Sequence, residues 1–157
     1  MPKKFIKSLL NASRGIVHGI ASERNLRIQV AIGFIAILAS LFLKIPRIDF
    51  IIVLTLSFLV VSLELLNTCF ERLIDFLSPY YHEEFGNLKD MMAGVVLLSA
   101  VLSAIAGILI FYKPVISMFK EPYKLISLSD ILIVLDVILF AAVVILASYA
   151  FKKAIKH

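Results

Sequence analysis

The sequence predicts an all-α integral membrane protein, with an N-terminal amphipathic surface helix, three membrane helices and one additional C-terminal membrane helix. Composition is the first observation behind this. Of 157 residues, 61% are hydrophobic and the mean hydropathy is +1.01, well beyond the roughly half expected of a soluble domain. Patterning is the second, because the apolar residues gather in long uncharged runs where a soluble helix would show amphipathic spacing. The third is the basic residues, which lie between and outside those runs. A net charge of +5 and a pI near 9.4 would suggest nucleic acid for a soluble chain. In a membrane protein they mark one face of the bilayer, and no nucleic-acid partner is expected.

Over residues 3–27, Phe5, Leu9, Ala12, Ile16 and Ile20 recur at spacings of three and four, while Lys4, Lys7, Asn11, Arg14 and His18 fall on the other side. This is the pattern of a helix lying on a membrane surface. Ile28 to Leu43 carries no charge, Lys44-Ile45-Pro46-Arg47 makes a short break, and Phe50 to Leu63 is uncharged again. Two membrane helices joined by a tight turn follow. The second of these runs falls short of the roughly 20 residues a bilayer requires, so its helix must continue through Glu64-Leu65-Leu66-Asn67-Thr68-Cys69-Phe70. Cys69 lies inside this apolar stretch, where packing is its expected role.

Residues 76–90, with Pro79 and Gly86, are expected to form a loop, and Met91 to Tyr112 a third span. Ser99, Ser103 and Gly107, four apart, suggest a close helix-packing face on it. Residues 113–128 read as a second polar connection and about 130–151 as a fourth span, interrupted by Asp136 and followed by Lys152, Lys153 and Lys156. The chain thus divides into a body over 1–112 and a connection plus extra helix over 113–157. Of the sixteen Lys and Arg residues, eleven fall in the N-terminal segment, the 71–90 loop and the C-terminal tail. By the positive-inside rule these segments, and both termini with them, are expected on the cytoplasmic side.

At 100° per residue, Glu64, Asn67, Glu71 and Asp75 fall at about 0°, 300°, 340° and 20°, a single narrow stripe. Carboxylates at a membrane boundary repel one another and lose hydration, so the stripe needs a compensating cation or basic group. Oxygen ligands of this kind suit Mg²⁺, usually held by one or two carboxylates plus substrate phosphates. Nucleotide chemistry at the cytoplasmic edge is the reading this supports. A solvated helix end accounts equally well for Asp75, but not for Glu64, deepest in the apolar run. Glu23-Arg24-Asn25 and Lys89-Asp90, taken singly, are also compatible with interface anchoring. His82-Glu83-Glu84 lacks the second histidine of a zinc-protease pattern, and neither a Walker A sequence nor a G-x-G-x-x-G loop is present.

The stripe Glu64-Leu-Leu-Asn67-Thr-Cys-Phe-Glu71-Arg-Leu-Ile-Asp75, followed by Tyr81-His82-Glu83 and Lys89-Asp90, resembles the prokaryotic diacylglycerol kinase family, which includes the undecaprenol kinases of Gram-positive bacteria. The resemblance covers residues 4 to about 112. It implies a bacterial cell-membrane enzyme using ATP with Mg²⁺ to phosphorylate a lipid alcohol, built as a homotrimer with active sites between subunits. Carried over residue by residue, it implies Glu64 as general base and Glu23 and Glu71 as metal ligands. Lys4, Asn11, Tyr80, Tyr81, His82, Lys89 and Asp90 become nucleotide contacts, joined there by the two metal ligands, with Asn67 and Asp75 in support. Lys4 stands where the family can have an arginine, keeping the charge without the bidentate fork. Gln29 stands where relatives have an acidic residue or histidine, and the fourth span lies beyond the usual three-helix body.

The segment Ser22-Glu23-Arg24-Asn25-Leu26-Arg27-Ile28 is more similar to the undecaprenol kinases, which makes undecaprenol the expected acceptor and diacylglycerol, converted to phosphatidic acid, the alternative. The competing class is a non-enzymatic membrane assembly protein or transporter subunit whose carboxylate stripe binds ions.

Overall fold

A computed structural model describes residues 2–78, 80 and 82–120. The expected fourth span with Asp136, the C-terminal lysines and Tyr81 lie outside the described residues. Within them the chain is entirely helical: α1 (Pro2–Ser22), α2 (Arg24–Phe42), α3 (Arg47–Leu77) and α4 (Glu83–Lys120). The last three are long and apolar enough to cross a membrane.

The surface helix and the first span are separated by a single residue. Glu23 has φ −107° and ψ 126°, an extended conformation that breaks the helix without a turn. The carbonyls left unpaired at the end of α1 are met by Arg27, whose Nη1 donates to Ala21 O at 3.0 Å. A basic side chain here also complements the negative end of the helix dipole.

The α2–α3 turn is closed by a Schellman motif. Ile45 N donates to Ser40 O at 3.2 Å and Lys44 N to Leu41 O at 3.3 Å, the paired bonds that satisfy a helix C-terminus when the next residue turns left-handed. That residue is Lys44, with φ 49°. Pro46 then caps α3, with its carbonyl accepting from Phe50 N at 3.0 Å, and Asp49 in the first turn complements the helix dipole.

α4 differs from expectation at both ends. The loop before it shrinks from the expected 76–90 to the few residues between Leu77 and Glu83. Glu83 and Glu84 stabilise a helix N-terminus electrostatically, while a lone Gly86 costs a helix only about 1 kcal/mol. The expected end at Tyr112 is overrun as well, since the helix passes through Pro114 to Lys120. Proline removes one backbone bond, which membrane helices tolerate when their flanks remain helical. At 1.5 Å per residue α4 is about 57 Å long, so it projects beyond a hydrocarbon core of about 30 Å.

α3 lies between α2 and α4 and packs on both. α2 and α3 approach closely at Gly33, where a Cβ would come within 3.2 Å of Ser57 Cβ. The expected packing face on α4 is only partly used. Ser99 is buried, but at Gly107 a Cβ would meet nothing within 4 Å. Gly107 and Ser103 instead line a cavity of about 360 Å³ between the three helices, together with Gln29, Gly33, Ser57 and Ala104. Both serine hydroxyls bond back to their own helix, Ser99 to Val96 O and Ser103 to Ser99 O.

Buried apolar residues are few: Leu26, Val53, Val60, Ile74 and Val96. Large side chains such as Leu98, Ile108 and Leu109 face outward, as does Cys69, expected to pack. That inside-out balance suits a chain whose outer surface meets lipid or other subunits, where burial between helices gains little.

Candidate functional site

The stripe on α3 is graded in depth. Glu64 and Asn67 are 5% and 6% exposed, Glu71 is half-buried and Asp75 is exposed. Along the stripe, Asn67 Nδ2 donates to Glu71 Oε1 at 2.7 Å, an i,i+4 pair that aims the Glu71 carboxylate. Asn67 Oδ1 is buried without a hydrogen-bond partner among the described residues. Across the seam with α2, Gln29 Nε2 donates to Glu64 Oε2 at 2.9 Å.

The break between α1 and α2 feeds the same end of α3. Glu23 occupies the N-cap position of α2 without making a side-chain cap bond. Its carboxylate is turned instead to α3, where Arg72 Nη2 donates to Glu23 Oε1 at 2.8 Å and also to Ser22 Oγ. Gly19 lies at this approach, where a Cβ would stand 2.7 Å from Leu65 Cδ1 and 3.3 Å from Leu26 Cδ2, the ends of two leucine side chains. Leu65 follows Glu64 directly, so the surface helix meets α3 at the base of the stripe.

α4 closes the other side. Lys89 Nζ donates to Asp75 Oδ1, so Asp75, though exposed, is paired with a basic side chain of α4. With side chains 33% and 68% exposed, the pair contributes no more than about 1 kcal/mol to stability. Asp90, next to Lys89, is exposed and makes no polar contact among the described residues. The His82 carbonyl accepts from Gly86 N at 3.1 Å, and the His82 ring stands edge-on to Phe85 at 5.9 Å. Tyr80 is 80% exposed. Lys4 and Asn11 sit exposed on α1, without a hydrogen bond or ion pair among the described residues.

No three carboxylate, histidine or cysteine side chains converge closely enough to enclose a cation among the described residues. What the fold does supply is two hard-oxygen donors at one end of α3, Glu71 held by Asn67 and Glu23 held by Arg72. A donor set of this size fits Mg²⁺, which keeps waters and substrate phosphate oxygens in its remaining positions. It does not fit a closed all-protein cage.

Arg72, Ser22 and the Gln29–Glu64 contact escaped the sequence argument. Arg72 is off the stripe by about 80° at 100° per residue, and Ser22 and Gln29 are on other helices. The only available signal was the departure at Gln29.

A family model described as prokaryotic diacylglycerol kinase matches residues 10–111. The undecaprenol kinase of Bacillus subtilis (strain 168) is 34% identical over 108 residues, 69% of this chain and 88% of that protein. A diacylglycerol kinase of Synechocystis sp. is 35% identical over 115 residues, 73% of this chain and 66% of that protein. The diacylglycerol kinase of Escherichia coli K12 is 23% identical over 110 residues, 70% of this chain and 90% of that protein.

Proposed function

The chain belongs to the prokaryotic diacylglycerol kinase family and is an ATP-dependent lipid kinase of the membrane, and from that premise we propose that it phosphorylates undecaprenol with Glu64 as general base. The observation that carries the assignment is the burial of Glu64. A carboxylate only 5% exposed on a membrane-length helix is costly unless used.

The acceptor's hydroxyl oxygen attacks the γ-phosphorus of ATP. Its O–H proton passes to the Glu64 carboxylate, the O–P bond to the leaving group breaks, and ADP departs. Little covalent chemistry is asked of the protein, because phosphoryl transfer depends mainly on positioning and charge neutralisation. Glu23 and Glu71 would hold Mg²⁺, which when bound neutralises charge on the phosphate oxygens. Asn67 and Arg72 orient those two carboxylates. Lys4, Asn11, Tyr80, Tyr81, His82, Lys89 and Asp90 would contact the nucleotide. Several of these are exposed and apart from the α3 stripe within one chain, which suits a homotrimer with active sites completed between subunits.

With both termini and the loop between α3 and α4 on the cytoplasmic side, the site faces the ATP pool. Undecaprenol is favoured over diacylglycerol because the Ser22–Ile28 segment, which contains Glu23, is more similar to the undecaprenol kinases; overall identity, 34% to the Bacillus undecaprenol kinase and 35% to the Synechocystis diacylglycerol kinase, does not separate the two acceptors. Purified protein in mixed micelles with labelled ATP tests both points. Transfer of label to lipid is expected, with a higher kcat/KM for undecaprenol than for diacylglycerol. The reverse preference would overturn the acceptor, and no transfer to either would overturn the reaction.

A further inference from the structure

Gln29 is the contact of α2 with the deepest carboxylate of the stripe. Its amide presents either a donor or an acceptor, and only the N–H end attracts an ionised carboxylate. Glu64 therefore dictates the rotamer in which Gln29 Nε2 donates to Oε2 at 2.9 Å. The cost of that choice is visible at the other end of the amide, where Gln29 Oε1 is buried without a hydrogen-bond partner among the described residues. Gln29 also lines the apolar cavity between α2, α3 and α4, with Ile32, Gly33 and Ser57. An aliphatic side chain would fill this place without stranding an oxygen of its own but would leave Glu64 Oε2 without its donor, so what the amide supplies here is that hydrogen bond and not packing.

Glu64 is held from one side only. Oε2 accepts from Gln29, and Oε1 has no hydrogen-bond partner among the described residues. One bond at Oε2 limits rotation of the carboxylate about its last torsion, which is otherwise broad and two-fold.

We propose that Gln29 is a positioning residue for the phosphoryl-transfer reaction, holding Glu64 Oε2 so that Oε1 is the oxygen that takes the acceptor's hydroxyl proton. The proposal rests on the reading of Glu64 as the base. The balance is simple: the O–H bond of the lipid alcohol breaks, a new O–H bond forms at Glu64 Oε1, and the Gln29 Nε2–H···Oε2 bond persists in both states. A neutral amide suits the task because it can donate to the carboxylate before transfer and to the carboxylic acid after it, without exchanging a proton itself. Gln29 does not touch the transferred phosphoryl group.

Steady-state kinetics on the full-length protein in undecaprenol micelles test this, with thermal unfolding followed in parallel. Gln29→Leu removes the donor at similar volume, and kcat is expected to fall about tenfold or more, with KM for ATP and lipid nearly unchanged. The unfolding midpoint should move by only a few degrees, because relief of the stranded Gln29 Oε1 offsets the loss of the donor to Glu64 Oε2. Gln29→His, which keeps a ring N–H, should recover most of the lost kcat. In a Glu64→Asp background, where the carboxylate is withdrawn by one methylene, Gln29→Leu should cost much less, as expected of residues acting through one another.

Undiminished kcat in Gln29→Leu would overturn the proposal. So would a kcat loss that tracks a falling unfolding midpoint and is not rescued by histidine, or a full additional loss in the Glu64→Asp background. The underlying reading fails separately, through a Glu64→Gln variant that still turns over. Inactive Glu64→Gln with fully active Gln29→Leu would remove the positioning role alone.

Discussion

Arg72 on α3 reaches across to Glu23 at the break between α1 and α2, its Nη2 standing 2.8 Å from Glu23 Oε1 with the two side chains 43% and 35% exposed. At that exposure the ion pair adds at most about 1 kcal/mol to stability. Its larger consequence is directional, because it turns a carboxylate that could have capped α2 toward the end of the α3 stripe.

Arg72→Ala is accordingly expected to leave the unfolding midpoint within a few degrees of wild type while lowering kcat by about tenfold or more, through misplacement of Glu23. Paired thermal and kinetic measurements check it. A stability loss without a rate loss would make the pair purely structural.

Glu64→Gln should abolish lipid phosphorylation, since an amide cannot accept the hydroxyl proton, while expression and assembly persist. Single-turnover transfer of γ-labelled phosphate to lipid reads this directly. Near-normal transfer would remove Glu64 from the mechanism.

Glu71→Gln and Glu23→Gln should each weaken activity in a way that added Mg²⁺ partly restores, because each loses one hard anionic ligand and keeps the rest of the site. Activity titrated against Mg²⁺ should shift to higher concentration in both. Curves superimposable on wild type would refute the ligand assignment.

At Gly19 the size of the substitution should matter more than its chemistry. Alanine gains up to about 1 kcal/mol of helix propensity, and the clash it meets is the end of the flexible Leu65 side chain, at 2.7 Å. Gly19→Ala should therefore be nearly neutral. Gly19→Phe should lift α1 away from α3 and reduce kcat sharply, measurable as increased proteolytic access to α1 alongside lost activity.

Most of what is local was legible in the residues. The uncharged runs specified α2 and α3, the three-and-four spacing specified α1, and the 100° helical step alone aligned Glu64, Asn67, Glu71 and Asp75. The ends of α4 were misjudged because Gly86 and Pro114 usually punctuate, and neither outweighed the helix-forming residues around it.

What tertiary structure decided is every bond that crosses between helices. Gln29 against Glu64, Arg72 against Glu23 and Lys89 against Asp75 depend on the register of α2 on α3 and of α3 on α4. The α2–α3 register is set by the turn at Lys44 and by the close contact of Gly33 with Ser57. Helical periodicity places a side chain on its own cylinder from its neighbours in sequence. Which cylinder it faces, and at what height, follows from how separate surfaces pack, and that information belongs to no single stretch of the chain.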